Sequence, residues 1–233
     1  MLLVLASRWD EQASEFGRSC DDVRLLTPDD LSTDGWAFQP SAPDSDYVVA
    51  DGKRIPKKEI TGVFTRLPCV MAHELLQIAP QERDYVAAEM HAFLVAWLST
   101  LTCPVVNRHT PGFLSGPAWG REKWISEAAK QSIPVAEFDR DSTSDAHHFV
   151  PTTVVTVLGD KVFGTTDQRL RAHAKRLGRI ADVIAATVYF AGELLQSASS
   201  AIDLGNGELR RALLSHFGMR CSGHDDSAVG IAR

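Results

Sequence analysis

Gly62-Val63-Phe64-Thr65-Arg66-Leu67-Pro68 is the stretch on which the fold turns. Ile60 to Thr65 reads as a strand that stops at a charged residue and a proline, so it gives way to a turn. Upstream, Tyr47 to Ala50 and Lys53 to Ile55 flank Asp51-Gly52, a pair that tolerates the positive φ of a tight hairpin. Downstream of Glu82, Val86, Met90, Phe93, Leu94, Trp97 and Leu98 recur at helical spacing and predict a long amphipathic helix. Pro104-Val105-Val106-Asn107 then reads as a short strand returning from it. Towards the start, Leu2 to Leu5 and Val23 to Leu26 read as strands, with Asp10 to Arg18 as a helix between them. Residues 27 to 46, rich in Pro, Asp and Ser, form a surface loop. Strand alternating with helix over residues 1 to 107 predicts a small parallel α/β domain.

Beyond it the pattern changes. Residues 108 to 118 contain Pro111, Gly112, Gly116 and Pro117 and read as a loop. Trp119 to Gln131 is helical by composition and feeds a strand at Ile133-Pro134-Val135. Asp139 to Asp145 has the composition of a linker. Val154 to Leu158 and Lys161 to Gly164 form a hairpin about Gly159-Asp160, Leu170 to Ile180 a basic helix, and Val183 to Phe190 a strand. Glu208 to Phe217 is a last helix stopped by Gly218, and the tail from Met219 lacks periodicity. No internal repeat is present.

The 233 residues carry a formal charge of −6, unevenly distributed. Residues 1 to 46 hold ten acids against three arginines, whereas 167 to 182 hold Arg169, Arg171, Lys175, Arg176 and Arg179 against two acids. An acidic total argues against general nucleic-acid binding. Cys20, Cys69, Cys103 and Cys221 lie far apart, which fits neither a disulfide framework nor a zinc knuckle. The longest apolar run, Phe93 to Val106, is too short for a bilayer, and Met1 to Ala6 is too short for a signal core. These features predict a cytoplasmic protein with no membrane partner.

The order and spacing of several segments resemble ATP-grasp carboxylate-amine ligases, specifically the microviridin-type enzymes that modify ribosomal peptides. Gly62 to Pro68 resembles the strand and Arg-Pro turn that close the first domain of that family. Glu82 to Glu89, Leu94 to Leu101, Cys103 and Asn107 resemble its long helix and following strand. Lys123, Ala128-Ala129 and Ile133-Pro134-Val135 resemble the next motif, and Thr153 to Gly164 the hairpin after the adenine hinge. The resemblance implies an α/β fold with a small parallel-sheet, pre-ATP-grasp-like domain over 1 to 110. A reduced α+β ATP-grasp-like domain follows over 111 to 218, with a flexible tail over 219 to 233.

The family's chemistry needs cations against the nucleotide phosphates, and Mg²⁺ held by acids and an Asn. By resemblance, Asn107 and Lys123 are the cofactor-binding candidates, Lys123 standing for the first of two nucleotide lysines. Tyr189 to Glu193 takes the place of the metal strand, leaving Glu193 as the metal candidate unless distant Asn206 contributes. Only nineteen residues, 135 to 153, stand where the family has a strand-rich lid with the second lysine. A βαβ unit alone needs about 30 residues.

Each candidate also has a plainer reading. Lys123 suits a solvated helix face. Arg66 suits either anion binding through its planar fork or the capping of neighbouring carbonyls. His147 and His148 follow an acidic loop, but adjacent residues of an extended segment face opposite ways. Cys69 and His73, four apart, lack further ligands. Trp119 and Trp124 could line a groove, and the basic helix could meet a phosphate, an acidic leader peptide or a second copy.

The expected function is therefore that of a degenerate ATP-grasp-like binding or accessory subunit in peptide or amino-acid modification of the natural-product kind. No cofactor is expected, ATP and Mg²⁺ being required if ligase activity survives. A peptide or protein partner, such as a precursor peptide, and a homodimer are expected. The alternative is an active ligase or a repurposed enzyme using the inter-domain cleft, completed by a second copy. Its catalytic candidates are Arg66, His147 and His148.

Overall fold

The computed structural model describes residues 1–39, 41, 45–136 and 150–220. The chain opens with β1 (Leu2–Leu5), α1 (Glu11–Ser19) and β2 (Val23–Leu26), and Asp10 caps α1 by accepting from the Ala13 amide. The hairpin β3 (Tyr47–Ala50) and β4 (Lys53–Pro56) turns through Asp51 and Gly52, with φ of 50° and 66°. Next come β5 (Gly62–Thr65), α2 (Arg83–Ser99) and β6 (Val105–Val106). The four strands β2-β1-β5-β6 pair in that order, all parallel.

Period-two alternation divides this sheet's side chains between two cores. Leu3, Leu5 and Val63 face the cluster containing Trp97 and Leu98 of α2. Leu2, Val4 and Phe64 face Phe16 of α1 and, from the far end of the chain, Leu213 and Phe217. Both faces are thus covered, which is why β1 is a continuous apolar run with 0% exposure at each residue.

The second half contains α3 (Arg121–Lys130), β7 (Thr153–Leu158), β8 (Lys161–Phe163), α4 (Gln168–Ile180), β9 (Ala185–Ala191), β10 (Leu194–Ser199) and α5 (Gly207–His216). Strands β10-β9-β7-β8 form an antiparallel sheet. Helices α3 and α4 cover one face through Trp124, Ile125, Leu170 and Leu177, packed on Val155, Val188 and Phe190. The free edge at β8 is blunted, since Arg171 Nη1 donates to the carbonyls of Val162 (3.0 Å) and Thr165 (2.9 Å). Leu158 and Ala185 join the cluster of Leu2, Val4 and Leu213, so the two sheets share one core.

Three local expectations need correction. Ile133-Pro134-Val135 makes a single parallel bridge, Val135 to Leu195, rather than a strand, because Pro134 lacks a ladder donor. Helix α3 begins at Arg121 with Gly120 as its cap, leaving Trp119 outside. Tyr189 to Glu193 is not one strand: β9 ends at Ala191, Gly192 turns with φ of 59°, and β10 returns along it. β10 went unpredicted because only Leu195 and Ala198 of its six residues are buried, and a bulge between Leu195 and Ser197 breaks the alternation. The linker at Asp139 to Asp145, together with His147 and His148, lies outside the described residues, as does the tail beyond Arg220.

Candidate functional site

The antiparallel sheet leaves its second face to a cleft. The same alternation that buries Val155 and Val188 under the helices turns Thr156 of β7 and Thr187 and Tyr189 of β9 the other way. Arg66, Gln12, Asp203 and Asn206 stand opposite, enclosing a cavity of about 490 Å³. A more open groove of about 850 Å³ adjoins it, sharing Val154, Phe163 and Gly164 and continuing past Thr152 and Thr166 to Glu208. Gly164 lines both spaces, where the chain leaving β8 lies close against the backbone of β7. Its φ is +92°, and a Cβ there would stand 2.1 Å from the Val154 carbonyl oxygen.

Arg66 organises the inner wall. Its Nε donates to Asp10 Oδ2 at 2.6 Å, its Nη1 to the Ile202 carbonyl at 2.6 Å, and its Nη2 to Asp10 Oδ1 and Gln12 Oε1 at 3.3 and 3.4 Å. Gln12 in turn donates to Asp203 Oδ1 at 2.6 Å and accepts from the Leu204 amide. The Arg-Leu-Pro turn after β5, the start of α1 and the approach to α5 are therefore tied together by one guanidinium. Both plain and sharp readings of Arg66 meet here: it caps a carbonyl, and the anion in its fork is Asp10. Asn206 accepts from the amides of Glu208 and Leu209, capping α5. On the sheet side, Thr187 Oγ1 donates to the Ala201 carbonyl at 2.7 Å and lies 3.5 Å from Thr156 Oγ1.

The other predicted residues are engaged elsewhere. Asn107 is fully buried, at 0% exposure. Its Nδ2 donates to the carbonyls of Ala185 (2.8 Å) and Ser200 (3.2 Å), and its Oδ1 accepts from the amides of Ile184 (2.9 Å) and Ala185 (2.8 Å). Those four bonds occupy both donors and both lone pairs of the amide. Lys123 lies half-exposed on α3, 2.6 Å from Glu127 Oε1, with its ammonium 5.6 Å from the Trp119 ring centroid. Hydrogen bonds from Lys123 and Lys130 hold the Glu127 carboxyl below its usual range. Glu193 lies in the β9–β10 turn and pairs with Arg169 Nη1 at 2.8 Å, both side chains well exposed. Trp124 is core rather than groove, at 1% exposure, with Trp119 packed edge-on at 4.9 Å. Cys69 is half-buried, and burial, then the Glu74 charge, pushes its thiol pKa up. Among the described residues, no group of three or more His, Cys, Asp and Glu side chains is gathered to hold a metal ion.

Sequence reading passed over the residues that form the sheet side of the cleft. The available signal was polar residues at alternate positions of apolar strands, Thr156 in β7 and Thr187 in β9. If Lys123 and Glu193 act only on the surface, K123A and E193A should each shift the melting temperature by no more than about 2 °C. Differential scanning calorimetry checks this, and a larger loss would assign either residue a structural role.

The chain matches no protein-family model, and no curated protein matches it. Solved structures do match, over nearly the whole chain. The macrocyclase MdnC of Microcystis aeruginosa, bound to precursor peptide MdnA, superposes with a TM-score of 0.62 at 8% identity, covering 93% of this chain and 98% of that one. The ATP-grasp ligase PsnB, complexed with a phosphomimetic variant of its minimal precursor, Mg and ADP, gives 0.60 at 11% identity, covering 92% and 97%. A RiPP-associated ATP-grasp ligase of Chryseobacterium gregarium, in complex with ADP and a leader and core peptide, gives 0.60 at 8% identity, covering 96% and 98%. The chain has the fold of these ATP-grasp ligases. No helix among the described residues is long and apolar enough to cross a membrane.

Proposed function

We propose that this chain is a reduced ATP-grasp-fold protein that binds a peptide as an accessory subunit of a peptide-modifying pathway, without ATP-dependent ligase activity of its own. The observation that carries this reading is the engagement of the residues the family would give to nucleotide and metal. The Asn107 amide is saturated by four backbone bonds, Glu193 pairs with Arg169 in an exposed turn, and Lys123 pairs with Glu127. Mg²⁺ bound to a triphosphate needs converging carboxylate oxygens. The cleft-facing sheet positions instead carry Thr156, Thr187 and Tyr189. The nineteen residues from 135 to 153 are also fewer than a strand-rich cover requires. A peptide partner is supported by the similar folds solved with precursor peptides bound.

Isothermal titration with ATP and Mg²⁺ tests the reading. The expected result is no saturable heat up to millimolar nucleotide, and no phosphate or ADP release on adding peptide. Micromolar binding with peptide-dependent ADP release would overturn it. A ligase completed by a second copy of the chain would give those same signals with a steep dependence on protein concentration.

A further inference from the structure

The segment that follows the Arg66-Leu67-Pro68 turn carries two sulfurs and a buried carboxyl. We propose that Cys69, Met71 and Glu74 form a binding site for a soft monovalent metal ion, copper(I), held by a thiolate, a thioether and a carboxylate oxygen.

Local structure brings the three groups together. Met71 is extended, with φ of −108° and ψ of 144°, so Cys69 and Met71 leave the chain on the same side while Val70, 6% exposed, packs into the core that α2 covers. Cys69 Sγ lies 3.7 Å from Met71 Sδ. After Met71 the chain folds into a 3₁₀ turn over Ala72–Glu74, in which the Glu74 amide donates to the Met71 carbonyl at 3.0 Å. Glu74 thereby comes near enough for its charge to act on the Cys69 thiol. Both ends of the segment are pinned, since the Pro68 carbonyl accepts from the Leu114 amide at 2.7 Å and Leu75 is fully buried. The fold thus holds the three groups before any ion arrives. Met71, 45% exposed, gives the ion a way in from solvent. None of the three lines the cleft of Arg66, so the site is independent of the accessory reading.

A plainer account covers the sulfurs alone. A thiol donating to a thioether at this distance is an ordinary weak hydrogen bond. It leaves Glu74 unexplained. Glu74 is 3% exposed, and its Oε2 has no hydrogen-bond partner among the described residues. Burying a carboxylate without a partner is costly, and here it stands near a thiol whose ionisation it opposes. A cation between the carboxylate and the sulfurs removes both penalties.

The donor set selects the metal. Thiolate and thioether together favour a soft ion, and copper(I) is content with fewer ligands than the four that structural zinc takes. With metal–sulfur bonds of about 2.3 Å, sulfurs 3.7 Å apart subtend about 107° at the ion, which leaves a third position for Glu74. His73 is exposed on the same turn, and Cys69, His73 and Glu74 do not gather as one group, so His73 does not supply the further ligand that zinc would need. Binding exchanges the Cys69 thiol proton for the ion and releases that proton to solvent.

The test is an anaerobic competition titration of the full chain against the bicinchoninate complex of copper(I), followed by the loss of its visible absorbance. One equivalent per chain is expected to transfer, with C69S weakening the affinity at least about a hundredfold and M71L about tenfold. Because a proton is exchanged for an ion of equal charge, a carboxylate acting only through its field would cancel. An expected loss of about tenfold in E74Q therefore reports contact with the metal. M71L should leave the melting temperature of the metal-free chain unchanged, because Met71 is exposed, and so separates binding from folding. Absence of transfer, or unaltered affinity in any one of the three variants, overturns the site. Zinc binding that matches copper and ignores M71L overturns it equally.

Discussion

Replacing Asn107 by alanine should lower the unfolding free energy by about 3–5 kcal/mol, a melting-temperature loss on the order of 10 °C. Each of its four hydrogen bonds contributes about 1 kcal/mol net, but the larger cost lies in what is left behind. The amides of Ile184 and Ala185 and the carbonyls of Ala185 and Ser200 would lose their Asn107 partner at a site with 0% exposure. A buried unpaired main-chain group costs about 1–3 kcal/mol. The side chain also joins two layers. Asn107 follows β6 of the parallel sheet, while Ala185 begins β9 and Ser200 follows β10 of the antiparallel one. Thr65, at 1% exposure, fixes the same corner by donating to the carbonyls of Val106 and Asn107. Urea titration measures the loss, and N107D separates its two halves, because an aspartate retains the acceptors and gives up both donors. A loss under about 1 kcal/mol would mean that the amide is not holding the sheets together, and would return it to the list of groups open to a ligand.

Asn107 also shows how far the sequence could be read. Its position was legible: a short strand after a long helix, ending in Asn, follows from periodicity and from the resemblance. Its role was not, because a buried amide and a ligand-binding amide have the same local sequence. The partners that decide between them, Ala185 and Ser200, lie 78 and 93 residues away. The parallel sheet was legible because β1 is an unbroken apolar run and β2 and β5 are short, mainly apolar segments between turn and helix signals. β10 was illegible because one of its faces meets solvent through Gln196, Ser197 and Ser199 while a bulge shifts its period. The same strand separates Tyr189 to Glu193 from the family's metal strand, since the last two of those residues form the turn into β10. The return of α5 to the first sheet had no local signal, since nothing in Leu209 to Phe217 names the surface it covers.

Arg66 carries the second large effect, and it decides between the two readings its residue type allows. R66A should cost about 2–4 kcal/mol, because it removes the guanidinium from Asp10 and the donor from the Ile202 carbonyl. Both side chains of the ion pair are largely shielded, at 12% and 19% exposure, so water recovers only part of the loss. Asp10 has a second duty in capping α1 through the Ala13 amide, and D10N can retain that cap while ending the charge pairing. A double-mutant cycle over D10N and R66A should therefore return a coupling of about 1–3 kcal/mol. If Arg66 were instead a ligand-binding cation, the two substitutions would be nearly additive, the melting temperature of R66A would hold, and an added phosphate or carboxylate would stabilise the parent protein but not the variant. The present geometry argues for coupling, because a fork already filled by Asp10 can receive a second anion only by first releasing the turn after β5 from the start of α1.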